Sequence, residues 1–293
     1  MNFVILMAYG SPTRMEDVPS YLSGIYEGKP VPEYAMKENM EKYSMVGGVS
    51  PSNAIVDRLV AKIGQRLSYQ HDFKVVLGNK HWEPWLETAV RNLMPVNQDT
   101  VIAFPLFPFP SENVKNSYLE PLHAALKAIS SAPSVRFING IGTEAMIRIW
   151  TPIVEKHYDN GDAVLFDAHS LPIFRGTDDQ YDAAFMEAAR GIAEAAGLQE
   201  YFAGYQSRGK YGSRWLEPSI YDVAERIRAK GYNSILTVPI GFFYEHLEIL
   251  YDLDLEFGGK VKESGINYHR TDLPNDSDNL VEEMVRLIKM EVA

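Results

Sequence analysis

The chain has 293 residues, no cysteine, and 28 lysines and arginines against 39 aspartates and glutamates, which gives a formal net charge of −11. Without a thiol it can form no disulfide, no zinc–thiolate centre, no cysteine nucleophile and no protein-ligated iron–sulfur cluster. The acidic balance argues against nucleic acid as a partner, and any metal must bind nitrogen or oxygen ligands.

Seven short apolar runs punctuate the chain. The first, residues 3–8, is too short to span a membrane and follows no basic region, so it is predicted to be a strand and not a signal peptide. The others are residues 74–77, 101–104, 135–138, 163–166, 202–205 and 235–238. Unbroken apolar runs are typical of parallel strands that helices cover on both faces.

Amphipathic segments fill the intervals between these runs. Ser50 and Pro51 offer an N-cap and a proline at the first helical position, and apolar residues then recur every fourth position from Ile55 to Leu67. Residues 275–291 are predicted to form a closing helix with a similar apolar face. Alternating strands and helices predict a doubly wound α/β fold.

Three segments of the first half are echoed in the same order in the second. The pairs are residues 4–12 with 164–172, 82–84 with 215–218, and 102–106 with 236–240. We therefore predict two similar halves, residues 1–142 and 143–293, with the last helix reaching back to the first half. A ligand cleft is expected between the halves, at the carboxyl ends of the strands.

Residues 21–48 differ from the rest of the chain because glycine and proline are scattered through an aromatic and charged context. Their position after the first predicted strand indicates an excursion from the repeating pattern. We interpret this excursion as a lid over the cleft.

Residues 241–256 combine aromatic and aliphatic side chains with regularly spaced carboxylates. Glu245, Glu248, Asp252 and Glu256 would lie on one face of a helix about a turn apart. Stacked like charges destabilise a helix unless a cation offsets them, and carboxylate oxygens are suitable ligands for a hydrated divalent ion. The spacing suggests a cation path, with a solvated acidic face as the alternative.

Three histidines lie near the predicted cleft. His169 ends a strand, where a neutral imidazole could accept a proton or bind a metal. His81 is a secondary candidate that could equally brace its loop. His246 is two residues from Glu248, and positions i and i+2 of a helix point apart, so His246 is interpreted as structural.

Other catalytic templates fail. The first predicted strand is followed by Tyr-Gly-Ser-Pro and not by a G-x-G-x-x-G turn, and the chain has no P-loop, no G-x-S-x-G elbow and no H-E-x-x-H motif. These features argue against a dehydrogenase, a P-loop enzyme or a zincin.

With these residues identified, the chain resembles the ferrochelatase family, which inserts ferrous iron into a porphyrin to make haem. The most specific motifs are Ala-His-Ser-Leu-Pro at 168–172 and His-Leu-Glu-Ile-Leu-Tyr-Asp at 246–252. Weaker motifs occupy residues 6–12, 46–51, 78–84, 205–208, 215–218 and 238–242. The match runs nearly from end to end.

The resemblance implies a chelatase-like fold of two flavodoxin- or Rossmann-like halves, each a four-stranded parallel sheet flanked by helices, with the porphyrin between them. It implies His169 and Glu248 as the catalytic and metal-binding pair on one face of the macrocycle. Tyr9 would lie on the opposite face as a candidate metal ligand or hydrogen-bonding group. A relay of metal ions or protons would run through Glu245, Asp252 and Glu256.

The porphyrin contacts are less defined by the resemblance. Relatives that act on coproporphyrin carry propionate-pairing arginines in the excursion, whereas this chain has Ile-Tyr-Glu-Gly-Lys at 25–29 and a lysine at 42. The candidate porphyrin-binding residues are Tyr9, Tyr26, Lys29, Lys42, Ser50, Tyr118 and Arg208. Protoporphyrin IX and coproporphyrin III both stay open as acceptors, as does the face that receives the iron.

Two other functions stay open. A cobalt, nickel or sirohydrochlorin chelatase would typically place a further histidine in the metal site, for which His81 is the candidate. A non-catalytic haem or porphyrin carrier would need the cleft but not the row of carboxylates. We expect Fe²⁺ as a substrate, no tightly bound cofactor, no iron–sulfur cluster, a cytoplasmic location, and transient contact with neighbouring haem-pathway enzymes.

Overall fold

Two four-stranded parallel sheets form the centre of the computed structural model, which describes residues 1–69, 72–173, 180–209 and 214–292. The strands are β1 (Asn2–Ala8), β2 (Phe73–Asn79), β3 (Thr100–Pro105), β4 (Ser134–Phe137), β5 (Ala163–His169), β6 (Pro172–Ile173), β7 (Tyr201–Gln206), β8 (Arg214–Trp215), β9 (Ser234–Val238) and β10 (Asn267–Arg270). The short strands β6 and β8 form a separate antiparallel pair.

Helices cover the sheets and connect their strands. They are α1 (Val18–Ile25), α2 (Glu33–Met45), α3 (Ser52–Leu67), α4 (Leu86–Leu93), α5 (Glu112–Ala128), α6 (Thr143–His157), α7 (Tyr181–Ala195), α8 (Ile220–Ala229), α9 (Gly258–Glu263) and α10 (Asp278–Met290). A 3₁₀ turn covers Met15–Asp17 and a π-helix covers Glu248–Phe257. No helix within the described ranges is both long and apolar enough to cross a membrane.

The predicted α/β class is confirmed, and each of the seven apolar runs coincides with a strand of the two sheets, although residue 138 falls one position beyond β4. In β1, Val4 to Met7 are fully buried on both faces, as a strand sandwiched between helices requires. The sequence pattern gave no indication of β10, because its residues Asn-Tyr-His-Arg contain no apolar run.

The two sheets share one strand order. The first is β2-β1-β3-β4 and the second is β7-β5-β9-β10, so β1 and β5 occupy equivalent central positions. The segments after β2 and β7 each contain a cis Glu–Pro bond, at Glu83–Pro84 and Glu217–Pro218. Residue 142 falls in the connection between the sheets, directly before α6.

Two helix boundaries differ from the prediction. The closing helix begins at Asp278 and not at residue 275, because Asn275 has a left-handed backbone (φ 51°) and the Ser277 hydroxyl caps the helix by accepting from Leu280 N at 3.4 Å. Helix α3 begins at Ser52, one residue later than predicted, and Ser50 Oγ accepts from Ser52 N at 3.3 Å.

The halves are joined by helices as well as by the core. Helix α10 lies against α3, where Arg66 bonds to Asp278 at 3.4 Å and to Glu282 at 3.3 Å. One large apolar cluster includes Leu59 of α3 and Met284 of α10, both fully buried. The two halves therefore share one apolar core where α3 and α10 meet.

The excursion at 21–48 folds largely as parts of α1 and α2. Tyr21, Leu22 and Tyr43 are buried with Val18 in a small cluster of their own. Leu247, which directly precedes the π-helix, packs against that cluster. The excursion thus contacts the second half at the mouth of the cleft.

Candidate active site

A cavity of about 480 Å³ lies between the carboxyl ends of β1 and β5. Aromatic rings from both halves and from the excursion line it: Tyr9, Tyr21, Tyr43, Phe107, Tyr118, Phe242, Phe243 and Tyr244. His169, His246, Glu248 and Lys80 add ionisable groups. A largely apolar pocket of this size with a few convergent polar groups suits a flat aromatic ligand.

His169 and Glu248 meet within this cavity. His169 is the last residue of β5, and its Nε2 lies 3.5 Å from Oε1 of Glu248, the first residue of the π-helix. The other ring nitrogen, Nδ1, is 2.6 Å from the Ser170 carbonyl oxygen, so Nδ1–H donates there. That bond orients the ring and leaves Nε2 facing the carboxylate.

Each member of this pair stabilises the charge of the other. Burial alone lowers the pKa of His169, but the nearby Glu248 carboxylate outweighs burial and raises that pKa to about 9. Burial alone raises the pKa of Glu248, but His169 and His246 together hold it well below its ordinary value. Near neutral pH His169 is therefore an imidazolium and Glu248 a carboxylate. The proton on His169 occupies the place to which the carboxylate would attract a metal cation.

The position of His246 corrects the interpretation from helical spacing. The π-helix begins at Glu248, and His246 lies before it, so the i, i+2 rule does not apply. His246 Nε2 is 3.7 Å from Glu248 Oε2, and its Nδ1 is 2.9 Å from the Tyr244 carbonyl oxygen. The prediction failed because it placed His246 and Glu248 in one helix, whereas the helix boundary lies between them.

Three of the four carboxylates in the row, Glu248, Asp252 and Glu256, lie on a π-helix and not on the α-helix that their spacing suggested. A π-helix closes i→i+5 hydrogen bonds and recurs at functional sites. Its wider turn keeps Glu248, Asp252 and Glu256 near the same side. Asp252 accepts from Lys42 Nζ at 2.7 Å and from Ser207 Oγ at 2.8 Å. Glu256 accepts from Lys260 Nζ at 2.9 Å.

Glu245 has different surroundings from the rest of the row. It precedes the π-helix, and both of its oxygens accept from Arg270, each at 3.0 Å. Burial raises the pKa of Glu245, and Arg270 opposes that change. The structure therefore places Glu245 in an ion pair behind the helix entrance.

Tyr9 lies at the equivalent strand end in the first half. Its ring contacts the His81 ring in a tilted arrangement, with a centroid distance of 4.4 Å and an interplanar angle of 53°. Burial, with a smaller contribution from Lys80, lowers the pKa of His81 to about 4. Burial and then Glu248 raise the pKa of Tyr9, so its phenol stays protonated. His81 supports Tyr9 and is not among the cavity-lining residues.

The remaining porphyrin-binding candidates separate into two groups. Ser50 and Tyr118 line the cavity. Lys42 is bonded to Asp252 outside the lining. Tyr26, Lys29 and Arg208 do not line it either: Lys29 is 78% exposed beside Glu27, and Arg208 is 59% exposed beside Glu217.

The prediction missed Lys80. It lines the cavity with its Nζ 5.5 Å from the centre of the Tyr118 ring. Burial lowers its pKa, against the attraction of Glu27 and Glu120. Its neighbour His81 was singled out, and the alternation of a strand end would have pointed the two side chains to opposite sides.

No group of three or more metal-ligating side chains forms a closed metal site within the described ranges. His169, His246 and Glu248 all line the cavity, so they present nitrogen and oxygen atoms to whatever binds there.

The comparison with protein families decides the assignment. The family model described as ferrochelatase matches residues 2–292. The chain belongs to the ferrochelatase family.

Curated relatives agree with this membership over more than nine-tenths of their length. The chain is 41% identical to the ferrochelatase of Thermoplasma acidophilum, over 99% of this chain and 91% of that protein. It is 32% identical to the coproporphyrin III ferrochelatase of a Geobacillus species, over 97% of this chain and 96% of that protein. The predicted ferrochelatase resemblance is thus confirmed.

Solved structures support the chelatase-like fold. The sirohydrochlorin chelatase SirB from Bacillus subtilis subspecies spizizenii, in complex with cobalt, aligns with a TM-score of 0.53 at 11% identity, over 99% of this chain and 94% of that one. CbiX aligns with a TM-score of 0.55 at 15% identity, over all of both chains. At these identities the likeness concerns the fold alone.

Proposed function

We propose that this ferrochelatase-family enzyme inserts Fe²⁺ into a porphyrin bound in the cavity, in haem biosynthesis, with His169 and Glu248 at the reacting centre. The observation that carries the proposal is the 3.5 Å ion pair within a cavity lined by aromatic rings from both halves. Family membership and the named relatives support the reaction. Iron and porphyrin are both substrates.

The charges of the pair suit the proton balance of the reaction. Insertion of Fe²⁺ releases two pyrrole protons for each metal bound. At rest the pair holds a proton on His169, and an arriving cation displaces it. When the metal leaves for the porphyrin nitrogens, the His169 imidazole accepts one pyrrole proton and returns to its resting charge, and the Glu248 carboxylate passes the second proton to solvent.

Tyr9 acts from the opposite wall in this proposal. Its raised pKa keeps the phenol protonated, so it serves as a hydrogen-bonding group and not as an anionic ligand. Bending the macrocycle to expose nitrogen lone pairs costs a few kcal/mol, which contacts remote from the metal must supply. Phe107, Phe242 and Tyr244 are the rings available for those contacts.

Lys80 is the proposed anchor for a propionate. Its amine is partly buried over the Tyr118 ring, and this burial disfavours the charged form of the amine. An incoming propionate carboxylate would stabilise that charged form. Ser50 and the Tyr118 hydroxyl are near enough to the same cavity to assist. Lys42 is proposed to act through Asp252 instead.

Asp252 and Glu256 are the proposed delivery residues. Both lie on the π-helix that Glu248 begins, and each already accepts from a lysine. A cytoplasmic location and transient contact with the enzymes before and after it in haem synthesis complete the proposal.

The test is anaerobic metallation of protoporphyrin IX and of coproporphyrin III by Fe²⁺, followed through the Soret and visible bands. We expect His169→Ala and Glu248→Gln to lower the rate at least about 100-fold. His123→Ala and Glu282→Gln change the same residue types at exposed helix positions and serve as matched controls. Equal rates for wild type and both site variants would show that the pair is not the reacting centre.

Cobalt and nickel in parallel reactions test the alternative chelatases. Faster insertion of either metal than of iron would reassign the metal. Tight porphyrin binding with no metallation of any kind would identify a carrier.

A further inference from the structure

The segment from β10 to α10 holds the π-helix at several points. Tyr268, in β10, donates its hydroxyl to the Leu253 carbonyl at 3.2 Å. Arg270, at the end of β10, donates to Asp254 from Nε at 2.6 Å and from Nη2 at 2.9 Å. The same guanidinium donates to both oxygens of Glu245, each at 3.0 Å.

Every donor position of Arg270 is used. Nη1 also donates to the Thr271 carbonyl at 2.8 Å, so Nε, Nη1 and Nη2 make five hydrogen bonds. The side chain is only 14% exposed. A planar fork that is fixed by two carboxylates at once has one orientation, which lysine could not reproduce.

A second contact fixes the same helix entrance independently. Asn275 adopts a left-handed backbone (φ 51°), an uncommon conformation for a residue other than glycine. Its Oδ1 accepts from Glu245 N at 3.0 Å, and its own N donates to the Phe243 carbonyl at 2.7 Å. The backbone and side chain of Glu245 are therefore both held.

We propose that Arg270 is a positioning residue for the reaction, which clamps Glu245 before the π-helix to Asp254 within it and thereby fixes Glu248 against His169. Glu248 lies between the two clamped residues in sequence. A π-helix is rare and usually short, so ten residues of it call for tertiary support. Arg270 also supplies a permanent cation that offsets the carboxylates of this segment.

The proposal rests on the proposed function and assigns a new role to Glu245. In the clamp, Glu245 is the counter-charge of Arg270 and not a carrier of iron. Loss of Glu245 should then impair the turnover step, whereas loss of a delivery residue should impair the use of scarce iron. The ratio of effects on kcat and on the KM for Fe²⁺ separates the two roles.

The test uses Arg270→Gln, Arg270→Lys and Glu245→Gln in the full chain. We expect Arg270→Gln to lower kcat roughly 10- to 100-fold, because a displacement of about 1 Å at a reacting group has effects of that size. The KM for Fe²⁺ should stay within about two-fold of wild type. Arg270→Lys should recover part of kcat, and Glu245→Gln should lower kcat without raising the KM for Fe²⁺.

Arg148→Gln is the matched control, because Arg148 makes a two-bond ion pair with Glu283 on α10, at 2.6 and 3.0 Å. It should leave kcat unchanged. Thermal unfolding of each variant gives its folded fraction at the assay temperature, and rates are expressed per folded molecule. If Arg270→Gln does not fold, Arg270→Lys and Glu245→Gln decide the question.

Two results would overturn the clamp: a wild-type kcat for the folded Arg270 variants, or a raised KM for Fe²⁺ with normal kcat in Glu245→Gln. Both require a wild-type enzyme that metallates porphyrin. A wild type that metallates neither porphyrin would instead contradict the proposed function.

Discussion

The two walls of the cleft follow equivalent strands, β5 and β1, but they differ in charge. At the end of β5, His169 faces Glu248 at 3.5 Å and its pKa is raised to about 9. After β1, the Tyr9 ring packs at a tilt against His81, and burial lowers the pKa of His81 to about 4. The two histidines would have the same pKa in water. The neighbouring carboxylate keeps His169 protonated near neutral pH, whereas burial keeps His81 neutral. The wall after β5 therefore carries an ion pair and is called the charged wall, whereas the wall after β1 presents the uncharged rings of Tyr9 and His81 and is called the neutral wall.

The largest expected effect is on kcat, which should fall much more when the charged wall is altered than when the neutral wall is altered. His169→Ala should lower kcat at least about 100-fold, because it removes a group at the reacting centre. Tyr9→Phe should lower kcat by less than about 10-fold, because the ring still packs and only one hydrogen bond is lost. Steady-state metallation measures both. A Tyr9→Phe defect as large as that of His169→Ala would mean that the neutral wall also reacts.

The second prediction concerns the neutral wall, and it is tested through the pH dependence of the unfolding free energy of the metal-free protein. His81 is buried and its folded pKa of about 4 lies below the unfolded value of about 6.5, so the unfolded chain binds the proton first as pH falls. Wild type should therefore lose roughly 1–2 kcal/mol of unfolding free energy from this group between pH 7.5 and pH 5. His81→Phe keeps an aromatic ring against Tyr9 but cannot titrate.

Urea unfolding of wild type and His81→Phe at both pH values measures this difference. The variant should show the smaller loss of stability on acidification. Equal losses in the two proteins would indicate that His81 is accessible to protons in the folded state.

Lys80, a cation next to the neutral wall, tests whether this side of the cleft governs porphyrin binding. Lys80→Met keeps an unbranched apolar stem and removes the charge. The KM for porphyrin should rise about 10-fold, the loss of one charge-assisted hydrogen bond, while the KM for Fe²⁺ stays constant. Lys29→Met is the control, since Lys29 is exposed away from the cavity. An unchanged KM for both porphyrins would remove Lys80 as an anchor.

Asp252 tests the delivery role on the charged wall and gives the smallest expected effect. Asp252→Asn should raise the KM for Fe²⁺ roughly five-fold with little change in kcat at saturating iron, because a delivery group acts before the chemical step. Initial rates across a range of iron concentrations measure this. A fall in kcat at constant KM would instead place Asp252 with the positioning residues.

Much of the scaffold was predictable from the sequence. Seven strands were predicted from apolar runs, most clearly the central strands β1, β3, β5 and β9, because both of their faces are covered. The duplication was visible in strand-end motifs, and the common strand order of the two sheets agrees with it. Strand β10 was missed because its Asn-Tyr-His-Arg composition is that of a polar edge strand, defined by its pairing with β9 and not by its own pattern.

The local chemistry was less predictable. Glu248, Asp252 and Glu256 are spaced by four, which keeps them near one side of an α-helix or of a π-helix, so the spacing could not show that a π-helix begins at Glu248 and leaves Glu245 outside. Its partner Arg270 is 25 residues away, on the strand that was missed. His246 was excluded by a helical rule that does not apply to it, because it lies two residues before the π-helix begins at Glu248. His169 and Glu248 were found because motifs mark both, although 79 residues separate them.

Proton release on metal binding tests the central claim, that the His169–Glu248 pair exchanges a proton for iron, most directly. Anaerobic calorimetric titration of the porphyrin-free enzyme with Fe²⁺ at pH 7.5, repeated in buffers of different ionisation enthalpy, counts the protons released per bound ion. Since the pKa of His169 is about 9, wild type should release about one proton per Fe²⁺, and His169→Ala should release almost none. Iron binding to wild type without proton release, or equal release from His169→Ala, would contradict the account.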